Sequence, residues 1–61
     1  MSLSAARRFA DTAFGLMLAS DDKLRLAFNT ISQKGTGNAG PDAARLAKLS
    51  AAIASRSPAQ A

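Results

Sequence analysis

Alanine supplies about half of the apolar residues of this chain, which restricts the chain to helical folds with a small core. Fifteen of the 61 residues are alanine, the residue with the highest helix propensity. Residues with branched β-carbons are few and valine is absent, so the propensity for strands is low. Larger apolar residues recur at helical spacing, as Leu46, Leu49 and Ile53 do. We therefore expect an all-α protein.

Residues typical of helix ends divide the chain into short helices. Ser2 or Ser4 can accept hydrogen bonds from the first turn of a helix. Gly35 suits the end of a helix, and Pro41 suits the first position of another. These signals predict two or three helices, arranged as a helical hairpin or an open three-helix bundle. The predicted helices cover residues 4–19, 21–34 and 41–55.

The junction at residues 20–22 leaves open whether the first 34 residues form one helix or two. Ser20 can cap a new helix, and the acidic pair Asp21 and Asp22 suits a first turn. A break or bend at this junction is therefore favoured. The alternative is one continuous helix, because apolar residues recur at seven-residue steps across the junction: Leu3, Ala10, Met17, Leu24 and Ile31.

The length of the chain allows one domain at most. We expect residues 1–56 to form a single small helical domain, with a flexible glycine-rich loop at residues 35–40. Residues 57–61 are expected to be a flexible tail.

The first predicted helix is apolar over more than half of its circumference, so it requires neighbours on several sides. Chains this short usually need a disulfide, a metal or a partner. Because cysteine and histidine are absent, disulfides and the usual zinc sites are excluded. A protein partner remains, either as a homo-oligomer or as a subunit of a larger complex.

Large apolar side chains are the candidates for the core or for docking on such a partner. One stripe of the first helix is predicted to hold Leu3, Ala6, Ala10, Ala13, Phe14 and Met17, whereas Leu26 should point away from the core face of its own helix. Ten residues are predicted to pack inside or to dock: Phe9, Phe14, Met17, Leu18, Leu24, Leu26, Phe28, Leu46, Leu49 and Ile53.

The residue types argue against an enzyme and against a bound cofactor or metal. Four aspartates without glutamate or histidine are a poor ligand set for a metal. The spacing Gly35-x-Gly37-x-x-Gly40 matches a dinucleotide-binding fingerprint, but that motif requires a preceding strand and a βαβ unit. A helix precedes it here, so a plain loop is the better interpretation. We expect no catalytic residues, no cofactor and no metal site.

Nucleic acid is an alternative partner, because the net charge is +4 and most of the surplus lies in residues 33–61. The candidate contacts to an anion or to nucleic acid are Lys34, Arg45, Lys48 and Arg56. The three phenylalanines all lie at plausible core positions, so stacking on bases is unsupported.

A membrane surface is a second alternative partner. The start of the chain, Met1 to Arg8, is basic and is followed by an apolar stretch, so an amphipathic first helix could dock a peripheral subunit on a membrane or an organellar complex. No apolar run is long enough for a transmembrane span. A soluble intracellular protein is favoured, with an organellar location as the alternative.

Overall fold

The structure, a computed structural model, describes residues 1–56, of which 84% are helical and none is in a strand. The prediction of an all-α protein is confirmed. Residues 57–61, the predicted flexible tail, lie outside the described part of the chain. Within residues 1–56, four α-helices follow one another, more than the two or three predicted. They are α1 (Leu3–Asp11), α2 (Ala13–Leu18), α3 (Asp21–Lys34) and α4 (Asp42–Arg56), with a 3-10 turn (Gly37–Ala39) before the last.

The prediction of one helix over residues 4–19 is wrong, because that segment divides into α1 and α2 at Thr12. Thr12 has an extended backbone (φ −102°, ψ 100°), and its hydroxyl donates a hydrogen bond to the carbonyl of Arg8 at 3.0 Å. Such a bond destabilises a helix slightly and often bends it. Thr30 makes the same bond to Leu26 inside an unbroken α3, so the bond at Thr12 accompanies the break but does not explain it alone. Ser2 provides the cap of α1, accepting from the backbone N–H of Ala5.

The break predicted at residues 20–22 is confirmed, and the continuous helix is excluded. Ser20 is extended, and its side chain accepts a hydrogen bond from the backbone N–H of Lys23 at 3.3 Å. Asp21 and Asp22 lie in the first turn of α3, where negative charge interacts favourably with the helix dipole.

The core lies between α1, α3 and α4, and α2 contributes no fully buried residue to it. Three of its seven apolar members are alanines, so the helices pack closely around little hydrocarbon. Leu3, Phe9 and Leu16 are partly buried at its edge. The buried apolar residues are Ala6, Ala10, Leu24, Ala27, Ile31, Leu46 and Leu49.

The segment expected to be a flexible loop is instead a short turn joined to α4 by hydrogen bonds. Gly35 ends α3, as predicted, and donates its N–H to the carbonyl of Ile31 at 2.8 Å. A side chain here would not fit, because a Cβ on Gly35 would overlap Oδ2 of Asp42 and lie 2.6 Å from that carbonyl oxygen. The structure thus requires glycine at this position for close approach. Gly37, with φ 64°, is the one residue in the left-handed region among residues 1–56.

The carboxylate of Asp42 joins α1, this turn and α4 although it has no solvent exposure. Arg7 donates to both of its oxygens, through Nε to Oδ1 at 3.0 Å and through Nη2 to Oδ2 at 2.9 Å. Thr36 donates its backbone N–H to Oδ2 at 2.9 Å, and Arg45 donates Nη1 to Oδ1 at 2.7 Å. Thr36 also accepts from the backbone N–H of Asp42 at 3.1 Å. We call this arrangement the Asp42 cluster.

These contacts hold the pKa of Asp42 well below its usual range, chiefly through the hydrogen bonds from Arg7 and then through that from the backbone of Thr36. Burial opposes them, because it raises the pKa of a carboxyl group. Arg45 extends the cluster by a second ion pair, with Nε 3.0 Å and Nη2 3.1 Å from the two oxygens of Asp11. Two ion pairs therefore join α1 to α4.

Replacing Gly35 by alanine should destabilise the fold by about 2 kcal/mol, because the new methyl group displaces the Asp42 carboxylate. Gly15→Ala is the matched control: its Cβ would meet Thr12 at an ordinary 3.5 Å, and alanine favours a helix over glycine by up to about 1 kcal/mol. Urea unfolding measures both changes. Equal stability of the two variants would contradict the close approach at Gly35.

Asp42→Asn should destabilise the fold more than Asp11→Asn, although each removes one negative charge. The side chain of Asp42 is inaccessible to solvent, whereas that of Asp11 is 50% exposed. Loss of the buried charge leaves the guanidinium groups of Arg7 and Arg45 without the carboxylate that neutralises them. The ion pair of Asp11 is exposed, and an exposed ion pair contributes little to stability. Thermal melts at neutral pH compare the two variants, and a larger loss in Asp11→Asn would contradict the cluster.

The same cluster makes stability depend on acid pH. Because its folded-state pKa is depressed, Asp42 stabilises the native state above the ordinary aspartate value of about 3.9. That contribution is lost as pH falls below that value toward the folded-state pKa. Asp42→Asn should therefore show a shallower loss of stability between about pH 5 and pH 3 than the wild type.

Candidate functional site

One face of α2 exposes three large apolar side chains. Phe14 is 68% exposed, Met17 74% and Leu18 70%, and their spacing of three and four residues puts them on the same side of the helix. No charged residue lies anywhere in residues 12–20. We call this surface, formed by Phe14, Met17 and Leu18, the α2 face.

The break at Thr12 explains why these side chains point outward. The sequence places Ala13, Phe14 and Met17 on one apolar stripe with Ala6 and Ala10, which assumes one unbroken helix. The extended backbone at Thr12 interrupts the helical repeat that would align these residues with α1, and all three are exposed. The predicted stripe is therefore interrupted at Thr12: Ala6 and Ala10 lie in the core, whereas Ala13, Phe14 and Met17 lie outside it.

The structure divides the ten residues predicted to pack or to dock into three groups. Leu24, Leu46 and Leu49 are buried in the core. Phe9, Phe28 and Ile53 are partly buried and pack against it. The α2 face and Leu26 are exposed, and Leu26, at 48%, points away from the core as predicted.

Phe9, in contrast to Phe14, is partly covered by the rest of the chain. Its ring packs at the edge of the core, and the ammonium nitrogen Nζ of Lys23 lies 5.4 Å from the ring centroid. A cation at this distance over an aromatic ring is stabilising. Phe14 has no cation–π contact of this kind within residues 1–56 and remains two-thirds exposed.

A groove of about 280 Å³ lies beside the α2 face, between α2 and α4. Leu16 and Met17 form one wall, and Ala52, Ser55 and Arg56 form the other. We call it the α2–α4 groove. Met17 belongs to both the groove and the α2 face, so the two surfaces are continuous.

Arg56 holds α2 against α4 at this groove. Its Nη2 donates to the carbonyl oxygens of Leu16 and Met17, which lie in the last turn of α2. Carbonyl groups at a helix end lack partners within the helix, and a cation there interacts favourably with the helix dipole. The guanidinium is thereby fixed at the edge of the α2 face.

The cations predicted to contact an anion are therefore only partly available. Arg45 bonds Asp11 and Asp42, and its pKa is raised by these contacts, chiefly by the hydrogen bond to Asp11. Arg56 bonds the carbonyls of α2. Lys34 and Lys48 are exposed and form no salt bridge with another described residue.

A second groove, of about 400 Å³, lies between α3 and α4 and includes Arg25, Phe28 and Ile53. It shares no residue with the α2 face. Throughout residues 1–56 every buried side-chain nitrogen or oxygen has a hydrogen-bond partner, so no buried polar group points unpaired into either groove.

Within the described part of the chain, no three acidic, histidine or cysteine side chains come together as metal ligands. None of the helices in residues 1–56 has the length and apolar character that crossing a bilayer requires. No protein-family model, curated protein or solved structure matches the chain.

Proposed function

We propose that this chain is a small, non-catalytic helical interaction module that self-associates or docks on a larger assembly through the α2 face. The observation that carries the proposal is the exposure of Phe14, Met17 and Leu18 on one side of one helix. Contiguous apolar side chains of this size on a soluble protein mark interaction surfaces, whereas single exposed apolar residues need no explanation.

The size of the α2 face supports this function. A large apolar side chain can remove on the order of 150 Å² or more from water. Three such side chains, each about two-thirds to three-quarters exposed, therefore present an apolar patch of roughly 400 Å². The largest apolar patch on a monomeric protein typically covers about 300–600 Å² and is often functional, and this patch lies within that range.

The rest of the molecule supports the same assignment. The core and the Asp42 cluster unite α1, α3 and α4, while none of the residues of α2 is buried. Arg56 nevertheless fixes α2 in place by its two carbonyl contacts. A helix that adds little to the core but is held in a defined position is suited to presenting a surface to a partner.

The two alternative partners have less support from the contacts. Nucleic-acid binding would use Arg45 and Arg56, which already bond groups within the chain. Docking on an anionic membrane through α2 lacks electrostatic support, because residues 12–20 carry no cation to attract anionic lipid.

Site-specific photo-crosslinking in the cells that make the protein tests the proposed function. A photoreactive phenylalanine analogue at Phe14 should give a protein adduct on illumination, because a partner covers this side chain. The same analogue at Gln33, an exposed position on α3, is the control and should give none. An adduct with a second copy or with another protein would support the module. Absence of any adduct from position 14, or equal adducts from both positions, would contradict it.

A further inference from the structure

The α2 face exposes large apolar side chains directly beside the α2–α4 groove. Met17 belongs to both. In a two-fold symmetric dimer the same residues meet from both copies, so the surface must be complementary to itself. A protruding side chain beside a groove meets this requirement, because each copy supplies one and receives the other.

Resting on the function proposed above, we infer that the partner of the α2 face is a second copy of this chain, bound with two-fold symmetry. In this dimer Phe14 of each copy occupies the α2–α4 groove of the other. The interface is therefore built from the α2 faces and the groove walls contributed by α4.

The groove has the size and the chemistry to receive a phenyl ring. Its volume is about 280 Å³, and a protein cavity of about 150 Å³ is enough to hold benzene. Leu16, Met17 and Ala52 provide apolar contacts, and Arg56 lies at the groove with its guanidinium held by the carbonyls of α2. A planar guanidinium stacks favourably on an aromatic face, so Phe14 matches this groove.

The exposed area predicts a weak, reversible dimer. Two α2 faces of roughly 400 Å² each would bury about 800 Å², and the groove walls would add to this. Stable interfaces bury about 1,200–2,000 Å² in total. We therefore expect a dissociation constant on the order of 10–100 µM.

The salt dependence of binding distinguishes a second copy from a membrane as the occupant. Two copies of a chain with net charge +4 repel each other at long range, so salt should strengthen their association by screening. Binding to anionic lipid would weaken with salt, since it depends on attraction between opposite charges.

The groove between α3 and α4 is a poorer receptor for Phe14. It shares no residue with the α2 face. Insertion there would therefore not be continuous with contacts between the two α2 faces.

Sedimentation equilibrium of the full chain, from about 1 to about 300 µM, tests the inference. The average mass should rise from 6.3 kDa toward twice that value, and more steeply at about 0.5 M than at about 0.05 M salt. Phe14→Ser should weaken dimerisation at least about tenfold. Leu26→Ser, which removes an exposed apolar side chain elsewhere, should change it less than about twofold. Far-UV circular dichroism checks that each variant remains helical.

A second pair of variants tests the groove without altering the α2 face. Ser55→Lys places a cation at the α2–α4 groove beside Arg56 and should weaken dimerisation about tenfold or more. Ser50→Lys adds the same charge on α4 at the other groove and should change the dissociation constant less than about threefold. Equal effects of the two lysines would overturn the placement of Phe14 in the α2–α4 groove.

The outcomes separate this inference from the function on which it rests. A chain that stays monomeric throughout would overturn the second copy as partner, whereas an adduct of another protein at Phe14 in cells would still support the module. Loss of both the dimer and all adducts would contradict both proposals.

A vesicle experiment tests the lipid alternative. If the chain sediments with vesicles of anionic phospholipid, if this binding weakens with salt and if no dimer forms, the second copy is replaced by a lipid surface and the inference is overturned.

Discussion

The buried carboxylate of Asp42 is the contact on which the arrangement of the helices depends. Among residues 1–56, only four of the buried apolar residues are larger than alanine, so the core by itself gives the helices little directional constraint. The carboxylate supplies that constraint, because it accepts hydrogen bonds from α1, from the turn and from within α4. A buried charge is tolerated only when it is paired and fully hydrogen-bonded, and removing one partner affects all three parts of the chain.

The exposed α2 face follows from the way these contacts place α1. Arg7 and Asp11 hold α1 against α4, and Thr12 then ends the helix. The chain therefore starts α2 in a new direction, with its large apolar side chains outside the core. Arg56 closes the arrangement by bonding the end of α2. The ionic contacts thus stabilise a small fold and leave an apolar surface available for association.

Local signals could predict α3 and much of the core from the sequence. Ser20 and Gly35 mark the two ends of α3, and the spacing of Leu46 and Leu49 identifies the core side of α4. The break at Thr12 could not be predicted, because a single threonine, here between Asp11 and Ala13, is a weak signal and its bond to Arg8 depends on the local backbone. The Asp42 cluster joins residues 35 positions apart. The sequence gives one indication of it. Arg7 precedes Asp11 by four residues, whereas Asp42 precedes Arg45 by three, so cation and anion stand in opposite order on the two helices.

The protonation of Asp42 is the most direct test of the view that a buried ion cluster organises this fold. Carbon-13 NMR of the carboxyl groups, recorded through an acid titration of the full chain, reports it for each aspartate. We expect the Asp42 signal to remain that of a carboxylate below about pH 3.9, the ordinary aspartate value, for as long as the chain stays folded. A signal that titrates at or above that value in the folded chain would contradict the account.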